Sequence, residues 1–249
     1  MENSGSRIAE ILIQKGYRLL NQPYKKIIFT ENPEADNLLN DLNEFPHAFV
    51  LACVMDRQVK AERAWLIPHE ISKELGDFSF SKLLRLNLDQ TITIFREKKL
   101  HRFNAVMAEN FYLAVQKIHN DYNDDASSIW KGNPRSGTIV RRFLGFKGAG
   151  VKIATMATNI LARDYKIPMK DHSCIDVSPD RQVRRVFIRL GLISQDAKNE
   201  ELMYCARELN PNYPGVFDLP CWEIGKEWCK PQDPECKQCY LSSYCSKII

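Results

Sequence analysis

The chain has 249 residues, 44% hydrophobic and 27% charged, with a formal net charge of +4; this composition excludes a disordered chain and allows one large or two modest globular domains. The longest purely apolar run, Ala48 to Met55, is far short of the ~20 residues a membrane helix needs. The opening Met1-Glu2-Asn3-Ser4-Gly5-Ser6-Arg7 lacks the basic-then-apolar order of a secretory signal, so the expectation is an intracellular protein with no membrane anchor, whose mild basic excess is compatible with nucleic acid.

Hydrophobic periodicity predicts helices almost throughout and no convincing strand pair. Ile8, Ile11, Leu12 and Leu19 mark a first amphipathic helix, and the polar Asn21 to Asp41 reads as a link to the body. Phe45 and Pro46 introduce a second helix, apolar on every side from Ala48 to Met55 and hence buried, which passes into Asp56-Arg57-Gln58. Polar residues at the end of a buried helix are a solvated terminus or part of a site. Ala61, Ala64 and Trp65 follow, Pro68 is expected to limit the start of the next helix, and Leu83, Leu84, Leu86 and Leu88 form a short apolar segment. Met107, Phe111, Ala114, Val115 and Ile118 predict a helix stopping near Asn120, and Asp121 to Gly137 a polar connection.

A short helix around Ile139 to Leu144 then leads into Phe146-Lys147-Gly148-Ala149-Gly150-Val151-Lys152, after which Ile153, Met156, Ala157, Ile160 and Leu161 form one helical stripe. Two helices joined by so tight a glycine turn make a helix-hairpin-helix. The glycines let the backbone approach a ligand closely, and the helix N-terminus favours an anion such as phosphate. The basic residues Lys131, Arg135, Arg141, Arg142, Lys147 and Lys152 surround the turn, and from Lys131 to Lys152 there is no Asp or Glu. That pattern suits the phosphate backbone of DNA. A long loop from Asp164 to Pro179 precedes Asp180, expected as the N-cap of a helix carrying Val183, Val186, Phe187 and Leu190 and ending at Gly191.

Cys229, Cys236, Cys239 and Cys245 close the chain as C-x6-C-x2-C-x5-C, whereas Cys53, Cys174, Cys205 and Cys221 are scattered. Inside a cell, four cysteines so close together are metal ligands rather than disulfides. Zinc and a [4Fe–4S] cluster both accept four sulfurs, and the single C-x2-C favours iron–sulfur. Cys53, within the apolar helix, is expected to be a core residue.

Together the tail and the hairpin resemble the endonuclease III branch of the helix-hairpin-helix DNA glycosylase superfamily. The cysteine spacing is that family's; Phe146 to Ala154 matches its L-P-G-V-G-x-K-x-A hairpin, and Asp180-Arg181-Gln182-Val183-Arg184-Arg185-Val186 its D-x-H-V-x-R-V helix. Val54-Met55-Asp56-Arg57-Gln58 is similar to the segment whose glutamine helps fill the gap left by a flipped base. The resemblance implies an all-α fold of two helical domains: a six-helix domain over 41–163, and a [4Fe–4S] cluster domain built from 1–40 and 164–249. It implies a bifunctional DNA glycosylase and apurinic-site lyase, acting as a monomer on double-stranded DNA that contains a damaged base, most simply an oxidised pyrimidine, or an abasic site. Lys152 is then the Schiff-base nucleophile and Asp180 the assisting carboxylate; Gln58 and Arg57 form the wedge, and Lys147, Gly148 and Gly150 clamp phosphate. Cys229, Cys236, Cys239 and Cys245 hold the cluster. Neighbouring cations and the helix terminus should disfavour the ammonium form of Lys152. Departures are the longer stretch from Lys152 to Asp180, the nearby Asp176 as a competing carboxylate, Gln182 where histidine is usual, and Arg57 beside the wedge. A monofunctional glycosylase for mismatched or oxidised purines, and a non-catalytic DNA-binding module, are the alternatives.

Overall fold

A helix with no polar face must be surrounded, and Pro46–Met55 is: all ten of its residues are buried. In chain order the helices are α1 (Ser4–Asn21), α2 (Pro33–Asn40), α3 (Pro46–Met55), α4 (Ala61–Leu75), α5 (Phe80–Arg85), α6 (Leu88–Glu97), α7 (Asn104–Tyr122), α8 (Ser136–Leu144), α9 (Val151–Arg163), α10 (Arg181–Arg189), α11 (Asn199–Leu209) and α12 (Asp218–Glu227), with 3-10 turns at Ala126–Ile129 and Pro214–Phe217. The computed structural model describes residues 4–248; Met1 to Asn3 and Ile249, which belong to the N-terminal stretch and to the expected cluster domain, lie outside the described residues. Among the described residues the chain is all-α, without strands, and no helix is long and apolar enough to cross a membrane.

The described chain divides into two compact units. One comprises Lys25–Asn133 and Arg141–Ile153; the other comprises residues 4–24, Pro134–Val140 and residues 154–248. The divisions fall after Tyr24, after Asn133, within α8 and within α9.

In the first of these units α3 packs against α2, α4, α7 and the 3-10 turn at Ala126–Ile129. Phe29 stacks on Trp65 at 4.5 Å, and Phe49 meets Trp65 and, edge-on, Trp130. Two readings are corrected here. The polar stretch taken as a link contains α2: Asn32 accepts from the amides of Glu34 and Ala35, Pro33 occupies the first turn, and buried Asp36 accepts from the amides of Phe29 and Thr30, folding the preceding chain onto the helix. Pro68 does not limit α4 but lies within it. A proline there removes one helical hydrogen bond and crowds the preceding turn, at about 3 kcal/mol; burial of Trp65, Ile67 and Ile71 around it offsets that cost. The Leu83–Leu88 segment is shared between two helices: Leu83 and Leu84 lie in α5 and Leu88 begins α6, which is opened by a reciprocal capping box between Asn87 and Gln90.

The other unit is built on α1, α10, α11, α12 and the Pro214–Phe217 turn, with Ile8, Leu12, Val186, Phe187, Phe217 and Ile224 in its core. Asp180 caps α10 through the amide of Gln182 at 2.7 Å, and Gly191 follows its end at φ +75°, as the sequence predicts.

Candidate active site and cysteine cavity

The glycine hairpin sits on aromatic packing. Phe146 is buried, lies parallel to Tyr122 with ring centres 6.3 Å apart, and its carbonyl accepts from the Ala149 amide at 3.0 Å. The two glycines are needed for different reasons. Gly148 has φ +87°, and a Cβ there would stand 2.7 Å from Asn110 Nδ2 and 3.0 Å from an Arg57 guanidinium nitrogen. Gly150 has no such φ, and no described atom lies within 4 Å of where its Cβ would stand. Its missing side chain leaves room for something outside the protein.

The span without acids in sequence is not without them in space. Lys131 pairs with Asp125 at 2.7 Å, Lys147 with Glu109 at 2.6 Å and Lys152 with Asp56 at 3.1 Å. Arg142 donates to the carbonyls of Ser128 and Ile129. Lys152 stands in the first turn of α9, and the sequence reading surrounded it with cations; the structure sets a carboxylate against it. Asp56 follows the last residue of α3 and is 5% exposed. The sequence marked it only as part of a polar segment, and its signal was the position itself, an acid directly after a helix apolar on all sides. Asn110, buried on α7 against Gly148, gave no comparable signal.

Beyond Asp56 the chain turns sharply. Gln58 is exposed and adopts φ +53°, a left-handed conformation that a non-glycine residue keeps only where neighbours impose it. Its predecessor Arg57 reaches the hairpin. Below the turn His101 is 1% exposed; its Nδ1 accepts from the Phe103 amide at 3.0 Å, while Nε2 faces the backbone of Arg57 and Met55 without a well-formed hydrogen bond. Burial holds its basicity below the ordinary histidine value.

Around Asp180 the chain brings several carboxylates near one another. Asp176 is buried and held bidentate by Arg207 at 2.6 and 2.7 Å, which commits it to a structural pair. Asp218, buried and pushed up by burial, accepts from the Ser178 amide at 2.8 Å and so fixes the turn before Asp180. Asp180, half-buried, caps α10. Gln182 accepts from Arg185 at 3.4 Å and packs where a side chain on Gly225 would stand.

All four cysteines of the tail line one cavity of about 350 Å³, open mouth included, floored by Val186, Leu190 and Ile224. They are free thiols. Arg189 donates to Cys229 Sγ at 3.5 Å and to the carbonyls of Lys230 and Pro231; Cys245 Sγ donates to the Arg189 carbonyl and accepts from the Lys247 amide. Arg185 donates to the Cys229 carbonyl at 2.6 Å. Burial, followed by the neighbouring cysteines, pushes the Cys239 and Cys245 thiols up. The four cysteines together offer an all-sulfur donor set, which a bound cationic centre would hold as thiolates. Among the described residues no group of three or more His, Cys, Asp or Glu side chains converges as a single-ion site would; the sulfurs rim a cavity.

No family model matches the chain, and no curated protein matches it. Solved structures do. A trapped covalent endonuclease III–DNA intermediate, the estranged-adenine complex, superposes with a TM-score of 0.64 at 15% identity, covering 97% of this chain and 96% of its own. A non-covalent endonuclease III–DNA complex gives 0.64 at 15% identity, covering 97% and 95%. A thermostable thymine-DNA glycosylase gives 0.63 at 17% identity, covering 96% and 95%. Over nearly its whole length, the chain has the all-helical fold of endonuclease III.

Proposed function

We propose that the protein is a base-excision DNA glycosylase and that it also cleaves abasic sites as a lyase. The observation that carries this reading is Lys152, in the first turn of α9 directly after Gly148-Ala149-Gly150, in a chain of the endonuclease III fold. An amine at that position can attack the anomeric sugar carbon and leave a Schiff base, from which strand cleavage follows by elimination. Asp180 is the carboxylate proposed to stabilise positive charge on the sugar as the glycosidic bond breaks; Asp176 is committed to Arg207. A base inside a duplex cannot be reached, so the nucleotide is extruded, with Gln58 and Arg57 proposed as the side chains that fill the gap. Gly150 leaves room for the phosphate backbone at the hairpin, with Gly148 shaping the turn and Lys147 adding charge. The oxidised pyrimidine is the proposed lesion.

Cys229, Cys236, Cys239 and Cys245 are proposed to hold a [4Fe–4S] cluster, which the four sulfurs lining one cavity fit. Its contribution is to hold the C-terminal segment folded, since ligation and folding are coupled. Arg189 and Arg185 tie the ligand loop to α10.

The test is a panel of duplexes carrying oxidised pyrimidines, oxidised purines, mismatches or an abasic site. The reading expects base release followed by strand scission on an oxidised pyrimidine. The Asp56 carboxylate at 3.1 Å engages the Lys152 amine in an ion pair and gives a second reading, a monofunctional glycosylase for mismatched or oxidised purines; base release without scission selects it. Binding without base release on every duplex leaves only a DNA-binding module.

A further inference from the structure

The geometry points to Asp56 as the residue that positions the Lys152 amine, so that the loop carrying the wedge also sets the nucleophile. The chemical task given to that amine rests on the proposed function; the contact itself does not. The Asp56 side chain is 6% exposed and that of Lys152 is 37% exposed, and the two meet at 3.1 Å. A carboxylate so deeply buried needs a partner, because an unpaired buried charge is far more costly than a solvated one. Its partner comes from 96 residues further along the chain. The pair is therefore a built contact between the end of α3 and the start of α9, both in the same unit.

The same loop reaches the hairpin again one residue on. Arg57 lies where a side chain on Gly148 would have to pass, at 3.0 Å. Two successive residues of the loop thus meet this region, Asp56 pairing with Lys152 and Arg57 lying beside Gly148, and the third, Gln58, is exposed in a left-handed conformation. A lysine has a long, freely rotating stem, and attack requires its nitrogen at one place. The buried acid supplies that fixed point in advance, and it holds the amine and the wedge in one frame.

Two measurements test this on the full-length protein. The first is labelling of DNA-free protein with pyridoxal 5′-phosphate and borohydride, with the modification at residue 152 read by mass spectrometry. Asp56→Asn removes the carboxylate that occupies the Lys152 amine, so labelling at 152 should rise about threefold to fivefold, the worth of a partly exposed ion pair, while the other lysines stay at parental rates. The second is single-turnover borohydride trapping on an abasic-site duplex, where the same variant should trap about 10- to 100-fold more slowly because the amine is no longer placed. Movement in opposite directions is the signature, since partial unfolding would raise labelling at all lysines together. Asp56→Glu keeps the charge and displaces it by one methylene; it should label at the parental rate and trap more slowly. Unchanged labelling at 152 in Asp56→Asn overturns the inference, as does parental trapping by either variant. A parent protein that traps on no abasic duplex counts against the lyase reading alone, and the labelling still decides whether Asp56 holds Lys152.

Discussion

Gly148 and Gly150 differ in what the protein asks of them, and that difference is measurable. Ala at 148 must take φ +87° and push into Asn110, so Gly148→Ala should lower stability by about 2–3 kcal/mol in chemical denaturation. Ala at 150 meets no described atom and should change stability by less than about 0.5 kcal/mol; if the hairpin grips phosphate, it should still weaken duplex binding. Equal effects of the two substitutions on stability would contradict the contrast. Both glycines were visible in the sequence, but only the folded chain separates one that shapes the turn from one that leaves space. Asp56 was hidden for a related reason. Its neighbours in sequence are Met55 and Arg57, and its partner Lys152 comes from another helix, so no local pattern could pair them. Asp180 was legible because capping is local: its oxygen serves an amide two residues on.

Elements with a strong apolar stripe, or with a face buried on all sides, were readable from periodicity, as α1, α3, α7, α9 and α10 show. Those shaped by tertiary burial were not. Eight-residue α2 is too short for periodicity to assert itself and relies on the Asn32 cap and buried Asp36. Interior Pro68 is held in α4 by packing that local propensity does not include. At this scale α10 carries a prediction. Its last-turn residue Arg189 is nearly buried and serves two loop carbonyls and the Cys229 sulfur. Arg189→Leu leaves those acceptors unmatched and should cost about 2–3 kcal/mol, with lowered iron content in the purified protein; parental melting and iron content would refute it. The helices around α3 carry another. His47, His69 and His101 are buried there, and burial holds each below the ordinary value of 6.5. Unfolding returns them to that value, so the unfolded chain binds more protons on the acid side. Stability should be full above pH 6.5 and should fall as pH drops below it, in urea midpoints measured across that range. A midpoint that rises on acidification through this window would contradict the sign.

For the whole molecule, the all-helical fold was legible because hydrophobic spacing and two motifs with fixed spacing agreed. The cysteine tail adds a ligand-removal prediction. Cys239→Ser should abolish brown colour and lower the melting temperature, while a colourless parent with stoichiometric zinc would contradict the cluster. The central claim is that Lys152 is a nucleophile acting on DNA, and borohydride trapping on a duplex with a single abasic site tests it most directly. The account predicts a covalent protein–DNA adduct with the parent and none with Lys152→Ala; no adduct with the parent, or equal adduct with Lys152→Ala, would contradict it.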